Sequence, residues 1–199
     1  IIIGVEHGDP ASTDHALMRR IASRTAAEVE EAHKQGARVV CVELTKSHVD
    51  CIKPNGKVDT GKLDASLAKI GYYRTDPLDI YAFLAAARTA RKLGMKVIPI
   101  DSFLGGSIQR CLLESALAKL SAAENLQQPN EVDGNAKTAL LLKAVRLSEQ
   151  AKMVRRQFRE TRFTRLIRKH DAHLVVIGAG HLNAIHHEFP HYQRKEIRL

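Results

Sequence analysis

Short apolar runs alternate along the chain with longer segments in which apolar residues recur every three or four positions. The runs are residues 1–5 (IIIGV), 38–44 (RVVCVEL), 96–100 (KVIPI) and 173–178 (HLVVIG). Such runs predict strands buried on both faces of a sheet. The helical periodicity covers residues 14–35, 63–70, 76–93, 107–123 and 137–169. Because strands alternate with helices, we expect an α/β fold with a mainly parallel central sheet flanked by helices, and with helical insertions.

Proline and glycine refine this prediction. Residues 46–62 are polar and contain Pro54-Asn55-Gly56, which is typical of a turn, so we expect an excursion over the functional face here. Pro99 lies inside the third run and favours an edge strand or a local irregularity, because proline cannot donate a hydrogen bond to a neighbouring strand. Residues 124–136 are the best candidate for a loop or insertion, and residues 196–199 for a fifth strand.

The length of 199 residues suits one sizeable core, so we expect a single α/β domain over residues 1–199. The chain begins at Ile1, inside an apolar run, and we expect a domain excised from a longer protein. The sequence contains no recognisable signal peptide and no apolar run near the roughly 20 residues that a membrane span needs, which leaves the compartment open. Three cysteines without a CxxC pair argue against a disulfide framework or a structural zinc site.

The formal net charge of +9 indicates anionic partners. Much of this charge falls in one segment, at Arg155, Arg156, Arg159, Arg162, Arg165, Arg168 and Lys169. An acidic partner or an anionic membrane surface fits such a segment, and a solvated helix face is the simpler alternative. Nucleic acid is unlikely to be the partner, because aromatic residues make up only 5% of the chain and stacking platforms are not evident. The oligomeric state is not indicated.

Four of the predicted strands are followed by polar residues that can bind metals or move protons. His7, Glu43, Asp101 and His181 each stand at the end of a predicted strand. In an open parallel sheet, ligands bind outside the carboxyl ends of the strands, and neighbouring strands are about 4.8 Å apart. We therefore expect these side chains to meet. For each residue alone, a hydrogen-bonding or helix-capping role is the simpler interpretation.

Two of the strands end in the same short motif. Gly4-Val5-Glu6-His7 and Gly178-Ala179-Gly180-His181 are both GxxH, and they lie at opposite ends of the chain. Glycine permits close approach of the backbone, so each motif could deliver its histidine to the edge of the sheet. Two imidazoles with one carboxylate and an open position is the pattern of a catalytic metal site. Zn, Mn, Co or Fe would suit His7, Glu43 and His181, and a site without metal is the alternative.

These motifs resemble the superfamily of TraB/PrgY, Tiki and erythromycin-esterase-like proteins, to which ChaN-like proteins are related. The matching segments are Gly4–His7, Glu43-Leu44-Thr45, the helix of Arg159, and Val176–Leu182 (VIGAGHL). Glu160 and Phe163 depart from the family's Asn or Asp and its Met, so either Arg159 or Arg162 can be the matching arginine. The resemblance extends over nearly the whole chain, but only as short matching segments separated by unmatched ones. It implies a metal-assisted hydrolase that cleaves a peptide, ester or lactone bond in a peptide or small molecule.

In this interpretation His7, Glu43 and His181 bind the ion or position the water, and Arg159 holds a developing negative charge. Glu6 is a second partner or base, although neighbours along a strand alternate and its side chain could point away. Asp101 orients a histidine or caps a helix. An alternative function is a non-catalytic or toxin-associated module that docks an acidic partner or membrane surface through its Arg-rich helix. A phosphate-binding domain is a weaker alternative, with Gly105-Gly106-Ser107 as its only candidate loop.

Overall fold

The computed structural model of the chain describes residues 1–6, 15–69, 78–102, 114–115, 118 and 134–198. One all-parallel sheet of five strands forms the centre of the fold, in the spatial order β3-β2-β4-β1-β5. The strands are β1 (Ile2–Val5), β2 (Val39–Val42), β3 (Lys96–Pro99), β4 (Leu174–Gly178) and β5 (Arg194–Ile197). The predicted α/β class and parallel sheet are therefore confirmed.

The helices follow the predicted alternation with one addition. They are α1 (His15–Lys34), α2 (Lys46–Asp50), α3 (Thr60–Lys69), α4 (Leu78–Lys92), α5 (Gly134–His170) and α6 (Ala179–Glu188). The addition is α2, which lies in the segment expected to be a polar excursion and begins after Thr45. The Thr45 hydroxyl accepts a hydrogen bond from the backbone N–H of His48, which is the usual capping contact. Most of the expected helix 107–123 and loop 124–136 lies outside the described residues.

Successive side chains of a strand pack alternately into two hydrophobic clusters, one on each face of the sheet. Val40 and Val42 belong to the first cluster, together with residues of α1 and α4. Cys41 belongs to the second cluster, together with residues of α5 and α6. Since both faces are covered, β1, β2 and β4 are apolar at every position, which explains the continuous runs in the sequence, whereas the border strand β5 carries Arg194, Lys195 and Glu196.

The topology creates a crevice at one edge of the sheet. The chain leaves β1 toward α1, on the first face, and leaves β4 toward α6, on the second face. Neighbouring strands whose connections depart to opposite faces leave a crevice between them at their carboxyl ends. Pro99 falls in β3, at one border of the sheet, so the edge-strand prediction is confirmed.

The chain divides into two compact units, Ile1–Ser102 with Glu160–Leu199, and Phe103–Arg159. The whole sheet lies in the first unit, and the boundary falls within α5. Whether the chain acts as the single domain that we expect is a separate question, and that expectation stays a prediction. Among the described residues, we find no helix whose length and hydrophobicity would let it span a bilayer.

Candidate functional site

An imidazole and a carboxylate form a pair at the carboxyl edge of the sheet. His181 lies in the first turn of α6, directly after β4, and its Nδ1 is 3.0 Å from Oε1 of Glu160 in α5. Only 12% of the His181 side chain and 18% of the Glu160 side chain are exposed. The edge of the Phe163 ring packs against the imidazole, with centroids 5.4 Å apart. A carboxylate at Nδ1 keeps the proton on that nitrogen in the neutral ring, so Nε2 carries the lone pair.

Glu160 is the functional candidate that sequence reasoning treated only as a departure from a family motif. Phe163 and Ile167 in the same helix are fully buried against the sheet. Glu160 stands three and seven residues before them, which is the spacing of one helix face. A carboxylate on the buried face of an otherwise basic helix was therefore the signal that could have identified it.

The side chain of Glu43 contacts the start of α6, the helix that carries His181. It is buried, and its Oε2 accepts a 2.6 Å hydrogen bond from the backbone N–H of Gly178. Gly178 is the N-cap residue of α6 and supplies no capping side chain of its own. The carboxylate of Glu43 therefore supplies the negative charge that favours a helix N-terminus. Glu43 thus bonds to Gly178, which stands three residues before His181 in the chain.

The two GxxH motifs begin side by side. In the pairing of β1 with β4, Gly4 lies opposite Ile177 and Val5 lies opposite Gly178. The two glycines are therefore on neighbouring strands and only one residue out of register. His7 itself lies outside the described residues, so its predicted meeting with His181 stays a prediction.

Asp101 and Arg162 make local structural contacts. Oδ1 of Asp101 accepts a hydrogen bond from the backbone N–H of Ser102 at 2.8 Å, which is a contact with its own turn. The Nε of Arg162 donates to the carbonyl oxygen of Ile100 at 3.1 Å and so ties α5 to the end of β3. The second contact commits one of the guanidinium donors of Arg162 to the backbone.

Glu6 extends the pairing of β1 with β5 by one residue. The backbone N–H of Glu6 bonds to the carbonyl oxygen of Ile197 in β5. The Glu6 carboxylate also helps to raise the pKa of Arg198, after the larger effect of Glu196. Both interactions belong to the β5 side of the strand. Arg159 is the last residue of the second unit.

A third imidazole, which the sequence analysis missed, lies near the end of β2. His48 in α2 is 5% exposed. Burial lowers its pKa from 6.5, and the carboxylate of Asp101 acts in the opposite direction. With Glu43 and Thr45, it makes the segment after β2 the main concentration of buried polar side chains in the described part of the chain. Its signal was its place three residues after the capping Thr45.

The metal prediction requires three donor side chains that meet at one point. Among the residues that the structure describes, no group of three or more His, Cys, Asp and Glu side chains is arranged to hold an ion. The predicted third donor, His7, lies outside them. The Glu160 contact nevertheless gives His181 the orientation that metal-bound histidines usually have, with the second nitrogen hydrogen-bonded to a carboxylate. The donor chemistry is therefore compatible with Zn, Mn, Co or Fe at Nε2.

A separate cavity of about 470 Å³ opens at the opposite, amino edge of the sheet. Its lining includes Gly36 and Ala37 before β2, and Ala172 and His173 before β4. Ligand sites of open parallel sheets lie at the carboxyl edge, where His181, Glu160 and Glu43 are found. We therefore place the candidate functional site there and not in the cavity.

Comparison of the chain with protein-family models, curated proteins and solved structures finds no significant match. The resemblance to the TraB, Tiki and erythromycin-esterase-like superfamily therefore stays a prediction. A parallel α/β sheet hosts many activities, so the fold does not select one. The functional argument rests on the residues of the site.

Proposed function

We propose that the chain is a hydrolase of the Tiki, TraB or erythromycin-esterase-like type, which cleaves a peptide, ester or lactone bond. The observation that carries this proposal is the buried pair of His181 and Glu160 at the carboxyl edge of the sheet. An imidazole whose Nδ1 faces a carboxylate is the common element of hydrolytic dyads and of metal-bound histidines. The two GxxH glycines on neighbouring strands support the second imidazole, His7, as its partner.

In the proposed reaction, Nε2 of His181 accepts a proton from the attacking water. Alternatively, Nε2 would bind a metal ion that carries this water. The carboxylate of Glu160 keeps the ring oriented and stabilises the imidazolium that forms when the ring accepts a proton. A bound transition metal would supply a water ligand of lowered pKa. Glu43 keeps the first turn of α6, and with it His181, in place through Gly178.

A guanidinium is proposed to hold the negative charge that develops on the substrate oxygen. The Nε–H of Arg162 already donates a hydrogen bond to the carbonyl oxygen of Ile100. It is therefore not available for a bidentate contact in which Nε and one terminal nitrogen bind the same anion. We therefore favour Arg159 for this role. Replacing Arg159 by Lys would keep the charge and lose the fork of donors.

The test is hydrolysis of 4-nitrophenyl acetate, a simple lactone and fluorescently labelled casein, each with EDTA or with added Zn, Mn, Co or Fe. His181→Gln is expected to lower kcat/KM about 10²–10⁴-fold, the range for loss of a proton-transfer group. The matched control is His187→Gln, because His187 is an exposed residue of the same helix. Equal activity of the two variants, or no hydrolysis by the native chain under any of these conditions, would contradict the proposal.

A second candidate function is a module that docks on an anionic membrane surface, and the second unit supplies its supporting observation. Between residues 141 and 154, the large apolar side chains Leu142, Val145 and Met153 are more than half exposed. Exposed cations, among them Arg146 and Lys152, lie between them. Apolar and cationic groups together favour an anionic lipid surface.

The membrane candidate predicts binding to vesicles that contain phosphatidylserine and weak binding to pure phosphatidylcholine. The binding should fall steeply as salt is raised, because the cations contribute through screened charges. Arg146→Gln with Lys152→Gln should weaken binding, whereas the exposed Lys34→Gln with Lys46→Gln in the first unit should not. Equal affinity for both vesicle types would exclude this candidate.

A further inference from the structure

Gly4 lies in close contact with the residue that follows His181. A Cβ atom added at Gly4 would stand 2.6 Å from Cδ2 of Leu182, and 3.2 Å from both its Cβ and its Cγ. Carbon atoms that are not bonded to each other pack best at about 3.5–4.0 Å. Any side chain at position 4 therefore requires Leu182, or the helix that carries it, to move.

Leu182 has little room to move by itself. It is 1% exposed and belongs to the second hydrophobic cluster, together with Phe163 and Ile177. The close packing of this cluster resists a rotamer change that would carry Cδ2 away from position 4. The strain is therefore passed on to α6, which would have to withdraw from β1 by a few tenths of an ångström.

The conformational freedom of glycine does not explain this position. Gly36, Gly56 and Gly94 are the described glycines with a positive φ, and Gly4 is not among them. Gly4 is an ordinary strand residue, paired with Ile177. What the chain uses at position 4 is the absence of a side chain.

We propose that Gly4 is a positioning residue for His181, and that the first GxxH motif therefore sets the geometry of the second. The contact of Gly4 with Leu182 fixes the height of the first turn of α6 above β1. That height sets the 3.0 Å approach of His181 Nδ1 to Glu160, which stands on a different helix. The inference deepens the proposed hydrolase function and rests on it for its effect on activity, whereas the geometry can be tested without any substrate.

The test compares two Gly→Ala variants and one rescue. Gly4→Ala introduces the collision, whereas Gly180→Ala is the matched control in the other motif, because a Cβ there meets no atom of the described residues within 4 Å. Leu182→Ala removes Cδ2 and Cγ, two of the three atoms nearest to position 4, and is made alone and together with Gly4→Ala. The readouts are the ¹⁵N resonances of the His181 ring, which show which nitrogen carries the proton, the melting temperature, and hydrolysis of 4-nitrophenyl acetate.

We expect the native ring and the Gly180→Ala ring to carry the proton on Nδ1, and the Gly4→Ala ring to show a mixture of tautomers. The double variant should regain the native ring pattern while its melting temperature stays below that of the native chain. Hydrolysis should fall about 10-fold in Gly4→Ala, less than the roughly 100-fold loss expected for a 1 Å displacement, and recover in the double variant.

A native ring pattern in Gly4→Ala, or a double variant whose ring is not restored, would overturn the inference. If Gly4→Ala does not fold, a folded double variant with the native ring pattern supports it, and an unfolded double variant overturns it. A native chain without hydrolytic activity would refute the proposed function, but the ring resonances would still decide the role of Gly4.

Discussion

The Nδ1 atom of His181 and the Oε1 atom of Glu160 lie 3.0 Å apart, although 21 residues separate them in the chain. The two residues stand on different helices, α6 and α5, on the second face of the sheet. Because both side chains are mostly buried, their interaction is little weakened by solvent. Among the described residues of the carboxyl edge, this pair joins an imidazole directly to a carboxylate.

Replacing Glu160 by Gln is expected to lower hydrolysis about 10–100-fold, the usual effect of losing the carboxylate behind a functional histidine. The shape of the side chain is kept, whereas the negative charge that holds the imidazole is lost. Steady-state kinetics with 4-nitrophenyl acetate would measure the effect. Glu149→Gln, an exposed position of the same helix, is the control and should behave like the native chain. Unchanged kinetics in Glu160→Gln would argue against the pair.

Replacing Glu43 by Ala should lower the free energy of unfolding by about 1–3 kcal/mol, because the N–H of Gly178 would lose its buried acceptor. Glu43→Gln should cost less, since its amide oxygen can still accept that bond. Urea denaturation of both variants at pH 7.5 would measure the difference. The same stability in Glu43→Ala and the native chain would mean that the carboxylate is not the cap of α6.

His48 should make the stability of the fold depend on pH below about 6.5. Burial lowers its pKa in the folded chain, so the unfolded chain binds the proton first as the pH falls. The free energy of unfolding should therefore decline as the pH falls from 6.5 toward the folded pKa, and level off below it. His48→Gln should flatten this part of the curve, measured by urea denaturation between pH 7.5 and 5. If His187→Gln flattens it equally, the effect does not come from burial of His48.

The thiol of Cys41 should be unreactive in the folded chain. It is fully buried in β2, and desolvation raises its pKa to about 12, so almost no thiolate exists at pH 8. Burial also raises the pKa of Cys51, whose thiol donates to the carbonyl oxygen of Ser47. Because Cys111 lies outside the described residues, the measurement uses Cys111→Ser.

With Ellman's reagent at pH 8, folded Cys111→Ser should react slowly and the urea-unfolded chain should react at both remaining thiols. Rapid reaction of the folded chain with one equivalent of reagent would show that β2 is more accessible than its burial implies.

The parallel sheet could be predicted from the sequence because its strands are buried on both faces and therefore read as continuous apolar runs. Pro99 indicated an edge strand or a local irregularity, because its missing N–H cannot pair with a neighbouring strand, and β3 lies at the border of the sheet. The short helix α2 was not predicted, because five residues with one apolar member, Val49, carry too little periodicity and Thr45 alone was a weak capping signal.

The candidate site could be predicted only in part. His181 and Glu43 follow strand ends, so topology alone brings them to one edge. Glu160 does not follow a strand, and its place beside His181 depends on how α5 packs on the sheet. The contact of Gly4 with Leu182 also depends on packing. Spacing within one segment cannot reveal contacts of this kind, because they join elements far apart in the chain.

The central claim is that imidazoles from the two GxxH motifs act in a single site, and a double-mutant comparison of kcat/KM tests it most directly. Hydrolysis of 4-nitrophenyl acetate would be measured for His7→Gln, His181→Gln and the double variant. Groups that work as one unit are strongly non-additive, so the double variant should be scarcely slower than the slower single variant. The claim would be contradicted if the loss of kcat/KM in the double variant equalled the product of the two single losses. It would also be contradicted if His7→Gln were as active as the native chain.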